Sequence, residues 1–161
     1  MKILDTLTKN EKELDISSKV RIYLCGVTVY DESHIGHART IIVFDVLRRY
    51  LESKGIEVEF IQNFTDVDDK IIIRAKRENV KASAISSRYI ENYFKDFDDL
   101  NVLRATRYPK ATEHLQDMQK LIIDLIEKKI AYVSKNGVYF SVSKFPGYGK
   151  LSKKKIEDLL A

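Results

Sequence analysis

Apolar positions change period several times along this chain, and each change marks an element. Residues 1–18 are polar and end in DISSK, which reads as a lead-in segment with no rhythm of its own. VRIYLCGV (20–27) is short, β-branched and apolar, the pattern of a buried strand. After TVYDESHIG, residues Ile42, Val43, Val46, Leu47, Tyr50 and Leu51 take helical spacing. They predict a helix from about Ala38 to Ser53, which Gly55 stops. IEVEFIQNF (56–64) alternates apolar and polar residues and predicts a second strand. Strand, helix and strand in so short a span form a βαβ unit, which implies parallel strands and a right-handed crossover.

Helical spacing then dominates. TDVDDKIIIRAKRENV predicts a helix with an Asp-rich first turn and Thr65 or Asp66 as N-cap. A longer helix from about Ala82 to Leu100 carries Ile85, Tyr89, Tyr93, Phe97 and Leu100 on one stripe, which reads as core packing. Pro109 in RATRYPK breaks the pattern. A further helix is predicted from about Ala111 to Lys129, with Leu115, Met118, Ile122, Leu125 and Ile126 facing inward. AYVSKNGVYFSV reads as a hairpin in which Asn136-Gly137 supplies the positive φ angles of a tight turn. LSKKKIEDLLA reads as the start of another helix. No repeat, low-complexity run or flexible linker divides the chain, so one domain is expected over 1–161.

Composition narrows the function classes. At 161 residues the chain can bury a real core, and 44% hydrophobic with 32% charged residues describes a globular protein. The net charge of +4 fits a nucleotide or nucleic-acid partner, and equally a lysine-rich surface. One cysteine excludes an internal disulfide and points to a reducing, cytoplasmic setting. The acidic residues of MKILDTLTKNEKELD argue against a signal peptide, and no apolar run approaches a membrane span.

The chemistry gathers between the first strand and the first helix. YLCGVTVYDESHIGHARTIIVFDVLRRYL (23–51) holds the only cysteine, Cys25, together with His34 and His37. A metal cage, a catalytic histidine pair, a phosphate site and a plain turn are all open from these residues. Ligands of open α/β sheets bind beyond the strand carboxyl ends, near helix N-termini, and Gly26–His37 lies there. Gly36 at the helix mouth allows close backbone approach, and two imidazoles three residues apart can donate to phosphate oxygens. Cys25 on a strand is otherwise a small buried apolar residue. Asp66, Asp68 and Asp69 are candidate magnesium ligands, but carboxylates on a helical first turn need no metal to explain them.

His34-Ile35-Gly36-His37 has the form of the HIGH signature of class I aminoacyl-tRNA synthetases. HxxH alone is weak, but the Cys-Gly-x-Thr-Val-Tyr-Asp run before it and Asn-Phe-Thr-Asp-Val-Asp-Asp-Lys after it are specific. Together they closely resemble cysteinyl-tRNA synthetases, as do KDFDDLNVLRATRYPKATEHL and KNGVYFSV further on. Val27, where many members carry proline, is a small departure.

The resemblance implies an α/β fold: the first, parallel βαβ half of a class I Rossmann-like nucleotide-binding fold over about 1–80. Helices and a β-hairpin of the connecting region follow over about 81–161. It implies ligation of cysteine to tRNA(Cys) through ATP-dependent formation of cysteinyl-adenylate, with magnesium accompanying ATP. His34 and His37 would be catalytic, and Val27, Thr28, Val29, Tyr30, Asp31, Glu32, Ser33, His34, Ile35, Gly36 and His37 would line the ATP site. For Tyr30 and Asp31, shaping the turn is an equal reading. Gly26, Thr28 and Thr65 would hold cysteine, and Cys25 would be one ligand of a zinc ion that binds the substrate thiolate.

The family's second signature, Lys-Met-Ser-Lys-Ser, is missing; KLSKKK (150–155) lies too early to be it. No further zinc-ligand context follows Cys25 either, so the remaining ligands are expected outside this chain. The chain by itself is accordingly expected to be an inactive N-terminal portion of the enzyme. Two other readings share these motifs: a ligase joining cysteine to an amino sugar by the same adenylation, and a short non-catalytic nucleotide- or RNA-binding module.

Overall fold

The computed structural model describes residues 1–14, 16 and 19–155. In chain order its elements are β1 (Lys2–Leu4), β2 (Glu11–Glu13), β3 (Lys19–Thr28), α1 (Ile35–Ser53), β4 (Glu57–Thr65), α2 (Asp69–Glu78) and α3 (Ala82–Asp99). A 3-10 turn (Ala111–His114), α4 (Leu115–Glu127), β5 (Ala131–Ser134), β6 (Gly137–Phe140) and a second 3-10 turn (Val142–Lys144) follow. They form two compact units, Ile16–His114 and the combination of Met1–Asp15 with Leu115–Ala161.

In the Ile16–His114 unit β3 and β4 pair in parallel, joined through α1, as the βαβ pattern requires. β4 lies between β3 and an extended stretch whose Arg107 and Lys110 bridge Ile61 and Phe64 in parallel. The Gln62 and Phe64 amides donate to the carbonyls of Arg107 and Pro109 at 3.1 and 2.9 Å. The alternation of β4 sends Val58, Phe60, Gln62 and Phe64 inward. Gln62 is the polar member, and its Oε1 accepts the Tyr93 hydroxyl at 2.8 Å, which satisfies it in an apolar setting.

Around that sheet pack Val20, Leu24 and Val29, Ile41 and Leu51 of α1, Ile71 and Ala75 of α2, and the α3 stripe Ile85, Tyr89, Tyr93 and Phe97. The stripe is core, as its spacing predicts. Phe64 meets Tyr93 edge-on at 5.0 Å and stacks on Tyr108 at 5.2 Å. Leu100, predicted on the same stripe, is instead the exposed C-cap of α3. The helix ends one residue too soon to carry it inward. Buried Asp45 anchors α1: Oδ1 accepts the Leu103 amide at 3.0 Å and Oδ2 pairs with Arg49 Nε at 2.7 Å.

Three expectations give way here. The first helix starts at Ile35 rather than Ala38, because His34 caps it with an imidazole. The N-cap of α2 is Asp68, whose carboxylate accepts the Lys70 amide at 2.8 Å, while Thr65 still belongs to β4. Asp66 caps the 3-10 turn instead, accepting the Thr112 amide at 3.0 Å and its hydroxyl at 2.5 Å. The helix predicted from Ala111 begins as that 3-10 turn and becomes α-helical at Leu115.

The other unit holds a surprise at its start. The polar lead-in folds into an antiparallel hairpin, with Ile3 opposite Lys12. Asp5 organises its loop, accepting the Leu7 and Thr8 amides and the Thr8 hydroxyl, and pairing with Lys12 at 3.0 Å. The Thr8 and Lys12 contacts hold its carboxyl well below the usual carboxylate range. On α4 the apolar stripe has the predicted helical spacing, but Leu115, Met118 and Ile122 are exposed and none of the helix is buried. Periodicity reports an apolar face, not what covers it.

The β5–β6 hairpin forms with Lys135-Asn136 as its two-residue loop. Only Gly137, at φ 149°, has positive φ there, so the Asn136-Gly137 turn predicted with two positive angles is not the one adopted. A turn spans 151–153, and the rest of the helix predicted from Leu151 lies largely outside the described residues. Among the described residues no helix is long and apolar enough to cross a membrane.

Candidate active site

The carboxyl ends of β3 and β4 and the N-terminus of α1 bound the site. On β3 the register with β4 passes from Leu24 opposite Gln62 to Val27 opposite Phe64, so Cys25 and Gly26 together oppose Asn63. One extra residue has been inserted, a β-bulge. It leaves Cys25 exposed, so the buried-core reading of that cysteine does not hold. Gly26 is obligatory, because a Cβ there would sit 1.4 Å from the Asn63 carbonyl oxygen. Beyond the bulge the strands close again: Thr28 lies opposite Thr65, and the Val29 amide donates to the Thr65 carbonyl at 3.3 Å. Gly26, Thr28 and Thr65, the predicted amino-acid pocket, are thus brought together at one end of the sheet.

The Thr28–Gly36 loop is held from α2 and α3. Arg74 Nη1 donates to the Tyr30 carbonyl at 3.0 Å and pairs with Asp31 at 2.9 Å, while its Nε meets Glu78 at 2.7 Å. Its guanidinium also lies 4.8 Å from the Tyr89 ring centroid. The Asp31 carboxyl is held low by the Glu32 amide first and by Arg74 second. Lys70 sits over the Tyr30 ring at 5.0 Å, and Asn92 Nδ2 donates to Glu32 Oε1 at 2.8 Å. Tyr30, Asp31 and Glu32 therefore have turn-shaping partners. Val29 is 2% exposed, so a ligand could meet only its backbone, whereas Ile35 at the helix mouth is 86% exposed.

His34 and His37 form a reciprocal cap. His34 Nδ1 accepts the Gly36 amide at 3.1 Å, and His37 Nδ1 accepts the His34 amide at 3.3 Å. This is the layout of a capping box, built from two imidazoles instead of Ser/Thr and Glu. The rings stack with centroids 3.8 Å apart. Gly36 allows it: a Cβ there would lie 2.9 Å from His34 Cε1. An imidazole nitrogen that accepts an amide proton carries none itself, so each neutral ring holds its proton on Nε2. Partial burial first, and the neighbouring His34 second, push the His37 pKa down, which favours that neutral form. Two Nε2–H donors then stand at one helix N-terminus, where the dipole favours an anion, while the Gly36 amide is taken by His34 Nδ1 and the His37 and Ala38 amides by the His34 carbonyl.

Asp66, Asp68 and Asp69 do not gather around a cation. Asp66 and Asp68 are caps, and Asp69 stands in the first turn of α2, where the helix dipole favours it. Among the described residues no group of three or more His, Cys, Asp or Glu is placed to hold a metal ion. Cys25 offers one exposed thiol, and a zinc site takes three or four protein ligands, so these residues do not make a zinc site on their own.

Residue patterns did not reveal two supports of this site. Nothing in the sequence separates Arg74 from the other basic residues of its helix. Asn63 stands inside the NFTDVDD motif, but nothing in the alternation of β4 says that its side chain crosses to a bulge.

Residues 12–161 match the family model described as tRNA synthetases class I (C) catalytic domain. A cysteine–tRNA ligase of Caldicellulosiruptor saccharolyticus is 54% identical over 100% of this chain and 35% of its own length. One of Thermodesulfovibrio yellowstonii is 52% identical over 100% of this chain and 34% of its length, and one of Rippkaea orientalis 49% over 99% and 33%. The chain thus spans about a third of the length of the curated relatives it matches. Mycobacterium tuberculosis methionyl-tRNA synthetase, solved with methionyl-adenylate, superposes with a TM-score of 0.61 over 70% of this chain and 23% of that one. At 20% identity this is a likeness of fold, and it agrees with the Rossmann-like α/β architecture that the family resemblance implies. On the family match and these relatives, the chain belongs to the catalytic-domain family of class I (C) tRNA synthetases.

Proposed function

We propose that this chain is the N-terminal catalytic part of a cysteine–tRNA ligase, which activates cysteine with ATP and magnesium and passes it to tRNA(Cys). The observation that carries the reading is the His34–His37 cap. It locks both rings with Nδ1 toward backbone amides and leaves two Nε2–H donors at a helix N-terminus. In adenylation a carboxylate oxygen of cysteine attacks the α-phosphorus of ATP. The new O–P bond forms as the P–O bond to pyrophosphate breaks, and negative charge grows on the phosphate oxygens. His34 and His37 would donate to those oxygens at a helix N-terminus whose dipole favours their charge, with Gly36 letting the phosphates approach the backbone.

Gly26, Thr28 and Thr65 would hold the amino acid at the end of the sheet, within reach of that helix mouth. Zinc is proposed as a resident metal with the Cys25 thiolate as one ligand and the others beyond the described residues. When bound, it would recognise the substrate sulfur, which separates cysteine from serine more sharply than shape can.

Cysteine-dependent exchange of pyrophosphate into ATP by the full-length protein tests the proposal. Exchange with cysteine, lowered about 10²–10³-fold in His34→Ala and in His37→Ala, is the result expected. No cysteine-dependent exchange, or full exchange in both histidine variants, would reject it.

A further inference from the structure

At the bulge the Gly26 amide donates to a side chain. Asn63 Oδ1 accepts the Gly26 amide at 2.8 Å and the Tyr23 hydroxyl at 2.9 Å, so both of its lone pairs are in use. A backbone N–H cannot face an NH2 group, which fixes the orientation of the Asn63 amide. Its Nδ2 is thereby turned to Thr65 Oγ1, at a long 3.4 Å. An NH2 only donates, so the Thr65 oxygen accepts and its own hydroxyl proton is left to donate elsewhere. One carboxamide thus touches Gly26 and Thr65 and spans the bulge that carries Cys25.

We infer that Asn63 is the positioning residue of the site: its amide holds the bulge that presents the Cys25 thiol and sets Thr65 as an outward hydroxyl donor. The inference rests on the proposed function only for the identity of the pocket. The Cβ-free contact of Gly26 with the Asn63 backbone fixes which residue lies opposite.

The test needs neither amino acid nor ATP, so its outcome is independent of whether the protein activates cysteine. In the labelled chain, a through-hydrogen-bond NMR coupling between Gly26 15N and Asn63 13Cγ is expected, and its absence would overturn the inference without any variant. Asn63→Leu keeps the bulk and removes the acceptor, whereas Asn63→Asp keeps the acceptor. Hydrogen exchange at Gly26 should rise about tenfold in Asn63→Leu and return toward wild type in Asn63→Asp. The Gln62 and Phe64 amides, bonded on the other side of β4, should stay protected in both.

Because Cys25 is the chain's only cysteine, its reaction with Ellman's reagent reports the bulge directly. Asn63→Leu should change that rate about threefold or more. Unchanged exchange and thiol rate in Asn63→Leu, or Asn63→Asp behaving like Asn63→Leu, would assign Asn63 to packing alone.

Discussion

Gly26→Ala concentrates the structural argument in one methyl group. Its carbon would lie 1.4 Å from the Asn63 carbonyl oxygen and 2.6 Å from the carbonyl carbon, both backbone atoms that no rotamer change can move. Ordinary contact requires the strands to part by roughly 2 Å at this point, a large fraction of the ~4.8 Å spacing of paired strands. Parting them loses the Gly26 amide bond to Asn63 Oδ1 and strains the Val29–Thr65 bond beyond it. Two hydrogen bonds at about 1 kcal/mol each, with about 1–3 kcal/mol of overpacking strain, give a loss of about 3–5 kcal/mol.

Domains of this size are stable by only about 5–15 kcal/mol, so the variant should be severely weakened. Urea unfolding followed through exchange of the β4 amides reads the unit that contains the bulge. With a slope of about 2 kcal/mol per M, the midpoint should fall by about 2 M. A fall below about 0.3 M would show that the bulge accommodates a Cβ, and the placement of Cys25 derived from it would be wrong.

The remaining predictions concern the cap, its titration and the α1 anchor. His34→Asn keeps a cap acceptor but removes the Nε2 donor; it should change stability by less than about 0.5 kcal/mol, where His34→Ala costs about 1. Both should lose adenylation alike in the full-length protein, and an active Asn variant would reduce His34 to a cap. Because the His37 pKa is lowered from 6.5 by folding, the unfolded chain binds more protons below that pH. The contribution of His37 should therefore be fully present above about pH 6.5 and be lost as pH falls toward the folded pKa. Urea midpoints of the wild type and His37→Gln from pH 7.5 to 5 measure it, and a wild-type gain on acidification relative to the variant would contradict the cap. Asp45→Ala, which takes the acceptor from the Leu103 amide and from Arg49 Nε, should cost about 2–3 kcal/mol in the same assay. A cost under about 0.5 would show that the 101–104 segment holds itself.

What the sequence revealed, and what it hid, divides along physical lines. The core of the Ile16–His114 unit follows from period alone, because Val58, Phe60 and Phe64 alternate and Ile85, Tyr89, Tyr93 and Phe97 repeat at helical spacing. Burial is a local consequence of such patterns. The bulge is hidden because inserting one residue leaves each strand looking like a strand; only the pairing shows that Cys25 and Gly26 share one partner. The start of α1 is hidden because histidine is not among the usual N-cap residues, and its acceptor nitrogen matters only once the rings stack. The Lys2–Glu13 hairpin leaves no mark in the sequence because exposed strands need no apolar alternation, and Asp5, not a Gly-rich turn, shapes its loop. Of the site, the residue types at the helix mouth were visible in sequence. Their supports, Asn63 and Arg74, act through contacts between residues about forty apart, which no local pattern encodes.

The central claim, that these residues belong to an enzyme joining cysteine to tRNA, is tested most directly by one charging experiment. Full-length protein is incubated with labelled cysteine, ATP, magnesium and tRNA(Cys), in parallel with labelled serine and with an amino sugar in place of tRNA. Label from cysteine is expected on the 3′ end of tRNA, with none from serine and no cysteinyl amino sugar. Label on the amino sugar but not on tRNA, or activation of another amino acid in preference to cysteine, would contradict it.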